Sequence, residues 1–274
     1  MQAIYLPIQS LHPFAGHPYK VQDNDEMNCL IESVQEQGIL TPLIVRPLEG
    51  TAAESEVISG HRRLRAAQKA GLKEVPAFIH AVDRDEAAIQ LVDSNLHREN
   101  ILPSEKAYAF KLKMEALNHQ GRTSGQVGQK WSREYVSDTD SGRQVQRYIR
   151  LTHLLPGLLD LVDDGRIAFT VGVELSYLSN EEQRAVLEAI ELYDCTPSYS
   201  QACRMHRESE AGGVHNRIEA ILAEEKPNQR EKVSFQYEQL RRYFPSDYTP
   251  KQMTESILQL LERERLRRLD RDAR

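Results

Sequence analysis

The stretch Val57-Ile58-Ser59-Gly60-His61-Arg62-Arg63-Leu64-Arg65-Ala66-Ala67 carries the densest chemistry in the chain. Its pattern predicts a short buried strand from Glu56 to Ile58, a Ser-Gly turn, and a helix that opens on a basic run. Gly60 lets a backbone approach a ligand with no Cβ in the way. The first N–H groups of a helix lack intrahelical partners and stand at the positive end of its dipole. With Arg62, Arg63 and, further along, Arg65 added, that corner suits a polyphosphate. The same residues also read as a solvated basic helix face capping a strand. The stretch by itself leaves both readings open.

A second polar cluster, Val92-Asp93-Ser94-Asn95-Leu96-His97-Arg98-Glu99-Asn100, follows one strand and one helix downstream. It is of the kind that completes a phosphate or metal site. Together the two stretches resemble the boxes of the ParB/sulfiredoxin superfamily, specifically the ParB-type DNA partition proteins. Gly60-His61-Arg62-Arg63-Leu64-Arg65-Ala66 is similar to the family's Gly-x-Arg-Arg-x-x-Ala box, and Ser94-Asn95-Leu96-His97-Arg98 to its Glu-Asn-Leu-Gln-Arg box. Upstream, Gly38-Ile39-Leu40-Thr41-Pro42-Leu43 looks like the family's entry into a strand, and His17-Pro18-Tyr19-Lys20 stands where relatives carry an Asn-Pro-aromatic box near the nucleotide. The likeness runs from about Tyr5 to about Ile190, as a plasmid- or mobile-element-like variant.

The resemblance implies a protein that binds a centromere-like site on double-stranded DNA, binds CTP, closes as a sliding clamp, and works as a homodimer with a ParA-type ATPase. Carried over residue by residue, the amides around Gly60 and His61, with Arg62 and Arg63, would hold the triphosphate. Asn95 and Arg98 would contact phosphate or an associated Mg²⁺, with Asn95 as the metal ligand. A hard cation bridging phosphates takes only one or two protein oxygens, so no carboxylate cluster is required. Two residues depart from the pattern. His61 replaces a common glutamate, and Ser94 replaces the acidic residue nearest the metal, a charge Asp93 could supply only if the backbone shifted by one position. The expectation is nucleotide binding with weak or altered hydrolysis. Sulfiredoxin chemistry is excluded, because Gly60 stands where its catalytic cysteine must be. A ParB-like nuclease lacks support, since no concentrated Asp/Glu/His set could hold two metals. A transcriptional regulator using the same DNA-binding unit without segregation stays open.

The elements that must position these residues divide the chain into three. Residues 1–100 read as a small mixed α/β domain within an α+β protein: strands near Ile4–Ile8, Leu43–Arg46 and Val75–Ile79, a helix over Asp25–Gln37 with Met27, Leu30, Ile31 and Val34 inward, and a helix from Asp85. Residues 101–225 read as all-helical. Pro103 opens a helix with an apolar stripe of Ala107, Phe110, Met114 and Leu117, closed by Gly121. A helix-turn-helix follows at about 132–151: a first helix over Ser132–Ser137, a turn at Asp138-Thr139-Asp140, and a second helix capped by Ser141. Val145, Tyr148 and Ile149 face inward, leaving Arg143, Gln144, Gln146, Arg147 and Arg150 outward beside Ser141 as candidate DNA contacts. Later helices start at Ser179 and Thr196-Pro197-Ser198, and another spans about Asn216–Glu225. His206 and His215 read as isolated surface residues. Lys226-Pro227-Asn228-Gln229 reads as a linker to a small C-terminal segment, 226–274. That segment holds a helix from Pro250 to about Leu269, with Ile257, Leu260 and Leu261 on its buried side, and is a candidate for dimerisation.

Composition agrees with a globular protein: 274 residues, 40% hydrophobic and 28% charged. The net charge of −6 gives no overall footprint for nucleic acid. Between Gly121 and Arg150, however, six basic residues stand against three acidic ones, the local excess that phosphate binding needs. Cys29, Cys195 and Cys203 have no metal-ligand spacing and read as inert thiols in a reducing compartment. No signal peptide and no membrane-spanning apolar run is visible, so a cytoplasmic, nucleoid-associated protein is expected.

Overall fold

The computed structural model describes residues 3–48, 50, 53–98, 100–123, 136–137, 140–212, 217–224, 243–245, 248–249, 252–253, 255–257 and 259–263. Residues 1–224 form one compact unit and residues 225–274 a second.

The N-terminal part of the first unit is a five-stranded mixed sheet. Its strands are β1 (Ile4–Pro7), β2 (Leu11–Pro13), β3 (Leu43–Pro47), β4 (Ser55–Ser59) and β5 (Glu74–Ile79), in the order β1-β5-β3-β4-β2. β3 runs antiparallel to β4 and parallel to β5. Its pairing with β4 shifts register between Ile44 and Val45, just where β4 feeds the Ser59-Gly60 turn. One face is covered by α1 (Asp25–Gln37) and α2 (His61–Ala70), through Met27, Val34, Leu64, Ala66 and Ala67 against Leu43, Val45, Val57, Val75 and Ala77. α1 keeps its expected bounds because both ends are chemically marked. The Asn24 side chain accepts from the Met27 amide, and Gly38 leaves the helix at φ 70°.

The opposite face packs against α3 (Arg84–Asp93) and α4 (Pro103–Thr123), with Ile58 meeting Ala88, Leu91, Val92 and Ala109 in one cluster. α3 begins one residue earlier than Asp85 because Asp83 supplies the cap, accepting from the Glu86 amide at 2.7 Å. α4 runs past Gly121 to Thr123; a single glycine weakens a helix by about 1 kcal/mol and does not end it. α4 also serves the helical region that follows. Its Phe110 and Leu117 cluster with Val136 and Val145.

That region continues with α5 (Gly142–Leu151), α6 (Pro156–Asp163), α7 (Phe169–Leu175), α8 (Asn180–Tyr193), α9 (Tyr199–Glu210) and α10 (Ile218–Ala223). Their core includes Leu151, Leu158, Ile167, Leu175, Met205 and Ile218. α8 and α9 each open on a complete capping box, Ser179 with Glu182 and Ser198 with Gln201. α7 lies close to α6 only because residue 172 is glycine: a Cβ there would come within 2.8 Å of Val162 Cγ2. The first helix expected for the helix-turn-helix lies outside the described residues except for Val136 and Ser137, both buried. His215 and the 226–229 segment also lie outside them.

In the second unit, the described residues of 252–263 are helical, and Thr249 and Gln252 cap one another's backbone amides. Met253 is buried, whereas Leu260 and Leu261 are exposed, contrary to the sequence expectation for that face. Nothing among the described residues of this unit covers them.

One buried ion pair ties the sheet together. Arg46 and Glu56 face each other across β3 and β4, each about 5% exposed or less. Arg46 Nε and Nη2 lie 2.8 and 2.7 Å from Glu56 Oε2, and Glu56 Oε1 accepts from the Ala15 amide at 2.7 Å. Glu56→Leu alone should cost about 3–5 kcal/mol in urea unfolding, because it leaves a buried guanidinium uncompensated. The Arg46→Met, Glu56→Leu double variant should recover most of that loss; additive losses would show that the pair is not the source.

Candidate functional site: a cation-lined cleft and a capped helix

The cleft forms where β4 turns into α2. Gly60 has φ 109°, and a Cβ on it would lie 3.0 Å from Leu43 Cγ and 3.2 Å from Arg63 Nη2. Conformation and crowding therefore both require glycine. Gly60 caps α2 without a side chain, so the first-turn amides keep their donors for a ligand. Two adjoining cavities open here. The inner one, about 210 Å³, is lined by His17, Tyr19, Gly60, His61, Asn95 and Arg98 among others. The outer one, about 620 Å³, is bounded by Gln22, Asn24, Glu26, His97, Asn100 and Glu105. Lys20, Arg62 and Arg98 line both.

The cations differ in how firmly they are held. Arg63 donates to the carbonyls of Thr41 and Pro42, the latter at 2.8 Å, so it braces the β3 entry while bordering the inner cavity. Burial lowers its pKa. Arg62 pairs with Glu26 at 3.0 Å, and Glu26 is 74% exposed. Such a surface pair is worth about 0–1 kcal/mol, so an anion can displace it cheaply. Arg98 is exposed and makes no ion pair among the described residues. Lys20 reaches Asp163 at 3.3 Å and Asp160 at 3.7 Å on α6. Burial opposes its charge, but these carboxylates raise its pKa overall.

His61 is not a charged substitute for a glutamate. Its Nε2 accepts from the Phe14 amide at 3.3 Å, and its ring lies 3.7 Å from that of His17. Burial, with His17 adding repulsion, lowers its pKa to about 3. His17 donates through Nδ1 to the Tyr19 carbonyl at 2.8 Å, and burial lowers its pKa too. Two neutral imidazoles thus form the back wall.

Asn95 donates to the Leu91 carbonyl at 2.8 Å, leaving Oδ1 as its one oxygen for a cation. Ser94 Oγ turns back to the same carbonyl at 3.0 Å. Asp93 pairs with Lys113 of α4 at 2.5 Å and lines neither cavity, so it does not stand in for the missing glutamate. No group of three or more His, Cys, Asp or Glu able to hold a metal occurs among the described residues.

Glu105 is the wall residue that sequence reasoning missed. It is buried and accepts from the Lys20 amide at 2.7 Å and the Leu102 amide at 3.2 Å. Its position three residues into α4 is the acid half of a capping box, the one local signal available.

The ParB N-terminal domain family model matches residues 1–96. Residues 1–96 are a ParB N-terminal domain. The chain is homologous to the chromosome-partitioning protein ParB of Caulobacter vibrioides, 34% identical over 134 residues, covering 48% of this chain and 43% of that protein. It is similarly related to Spo0J of Thermus thermophilus, 33% identical over 165 residues, covering 60% and 56%. The chain thus spans about half the length of these curated relatives. Among solved structures, a C-terminally truncated Caulobacter crescentus ParB complexed to the centromeric parS site aligns over 75% of this chain and 99% of that one, at 23% identity and a TM-score of 0.44.

Beyond the ParB N-terminal domain, α5 has the expected form. Ser141 accepts from the Gln144 amide at 3.3 Å as the cap. Val145 and Leu151 are buried, and Tyr148 packs edge-on to Phe110 and against Phe169. Arg143 is exposed, and Gln144 and Gln146 are half-buried. Arg147 stands 5.4 Å from the Phe169 ring centre. Arg150 does not face outward as expected: it donates to the Ser176 carbonyl at 2.8 Å. His206 is no isolated surface residue either, since it contacts Glu174 at 2.8 Å.

A histidine whose folded pKa lies below its unfolded value withdraws stability as pH falls. For His61 the window runs from about 6.5 down to about 3. Urea midpoints of the wild type should decline more steeply across that window than those of His61→Gln. Above about pH 7 the two should show the same pH dependence. Parallel declines throughout would mean that His61 titrates normally.

Proposed function

We propose that this chain is a ParB-type, sequence-specific DNA-binding partition protein whose N-terminal domain binds CTP and acts as a nucleotide-gated clamp. The observation that carries the reading is the uncapped N-terminus of α2, within the ParB N-terminal domain match, which opens on a polyphosphate-sized cleft shared by Lys20, Arg62 and, just past that match, Arg98. The first-turn amides and Arg62 hold the phosphates, and Arg98, which lines the same cavities, adds charge. Arg63 contributes mainly by fixing the turn. Mg²⁺ would accompany the triphosphate, with Asn95 Oδ1 as its protein ligand and phosphate oxygens supplying the rest. With Ser94 in place of an acid and Asp93 engaged elsewhere, hydrolysis is slow.

α5 is the DNA-reading helix, with Arg143, Gln144, Gln146 and Arg147 presented to base edges and phosphates and Ser141 fixing its start. From the family resemblance, a centromere-like DNA site, a ParA-type ATPase and a second copy of this chain complete the system.

Calorimetric titration with CTP, and with ATP and GTP as controls, in Mg²⁺ should give selective CTP binding that disappears in Arg62→Ala. Absence of binding by every nucleotide, with DNA present as well, would leave a plain DNA-binding protein. Arg143→Ala and Arg147→Ala should each weaken DNA binding, by about 1–3 kcal/mol for a bidentate base contact. Undiminished binding by both would remove α5 from the interface. Steady-state CTP turnover should rise in Ser94→Glu; no change would mean that the missing acid does not limit hydrolysis.

A further inference from the structure

Arg150 is the last of the basic residues of α5, yet its surroundings differ from those of its neighbours. Its Nη2 donates to the Ser176 carbonyl at 2.8 Å, one residue beyond α7. Its guanidinium carbon stands 4.0 Å from the centre of the Tyr177 ring. Tyr177 in turn stacks on His206 of α9, with ring centres 4.2 Å apart and planes inclined by 10°. His206 is held by Glu174 of α7, its Nδ1 2.8 Å from Oε2, and Glu210 lies 3.6 Å from its Nε2. The Arg150 Nε atom is buried and has no hydrogen-bond partner among the described residues. This is a column of three planar groups joining the last turn of α5 to the end of α7 and the middle of α9.

We propose that Arg150 is a positioning residue, not a DNA ligand: the Arg150–Tyr177–His206 column fixes the pitch of α5 and so the reach of Arg143 and Arg147. The inference rests on the DNA-binding reading of α5 given above. A guanidinium whose face is occupied by an aromatic ring, and whose fork is engaged by a carbonyl, has surrendered the geometry that bidentate recognition of a base or phosphate requires. Near the C-terminus of α5 a cation is also favoured by the helix dipole, which gives it a reason to stay without nucleic acid. Thr152, His153 and Leu154 follow in a chain of short backbone bonds to Ile149, Arg150 and Leu151, so a change in the last turn of α5 is passed directly to the entry of α6.

The test uses the full chain and a duplex selected by the wild-type protein from a random DNA pool. A lysine would preserve a phosphate contact but cannot reproduce the stack and fork. Arg150→Ala and Arg150→Lys should therefore both lose affinity, by up to about thirtyfold, the scale of one charge-assisted hydrogen bond plus one stack. Neither should change the slope of log affinity against log salt, whereas Arg143→Ala should reduce that slope by about 0.9 if it meets one phosphate. Tyr177→Leu, at a half-exposed position, removes the stack but not the Ser176 carbonyl and should show part of the Arg150→Ala loss, and the double variant should lose no more than Arg150→Ala alone. A slope reduced by about 0.9 in Arg150→Ala, restored by Arg150→Lys, overturns the proposal and makes Arg150 a phosphate ligand. Hydrogen exchange in the free protein separates the two layers of inference. Faster exchange of the Val145–Leu151 amides in Arg150→Ala and Tyr177→Leu supports the column whether or not DNA binds; unchanged exchange overturns it. Failure of the wild type to select any duplex would instead remove the DNA-binding reading.

Discussion

A carboxylate and a guanidinium taken out of water together regain their desolvation cost only when their geometry is good and their remaining valences are used. Glu56 and Arg46 meet that condition because Glu56 has a third partner, the Ala15 amide. That third bond matters most for the cleft. It pins the segment following β2 across the sheet, and His61 pins the neighbouring Phe14 amide. Between them they set the path of residues 14–20, which bring His17, Tyr19 and Lys20 to the cleft wall. The site is thus assembled against a buried electrostatic anchor and is not simply a loop resting on a helix.

The two halves of the first unit share more than a boundary. Glu105, near the start of α4, receives the Lys20 amide, and Asp163, at the end of α6, receives the amide and hydroxyl of Ser104 as well as the Lys20 ammonium. Both carboxylates are largely withdrawn from solvent. Lys20 therefore touches the cleft wall and the helical region with one side chain. The position of α4 is defined on one flank by the sheet domain and on the other by the helices that carry α5.

What could be read from the sequence was what is local. α1, α5 and the starts of α8 and α9 followed their caps and apolar periods because those signals lie within four residues of where they act. The fold class followed from the same signals together with the three family-like boxes. The fates of individual arginines were illegible because their partners are remote. Arg63 is taken by Thr41 and Pro42, and Arg150 by Ser176 and Tyr177, contacts that only the folded chain creates. Likewise, His206 read as solitary because Glu174 and Tyr177 are about thirty residues away in sequence. Glu105 was passed over because the residue at the cap is Leu102, so the usual Ser/Thr partner of the motif is missing.

The paired imidazoles of His17 and His61 change how the cleft is expected to respond to its surroundings. Histidine is ordinarily the side chain through which a phosphate site would sense acidity near neutrality. Here both rings are held neutral by burial, and their ring nitrogens are used as fixed donors and acceptors for the backbone. The positive potential of the inner cavity comes instead from guanidinium groups, an ammonium held charged by two carboxylates, and peptide dipoles. The attraction for a polyanion is consequently tuned by ionic strength and by competing carboxylates such as Glu26, and does not pass through these two rings.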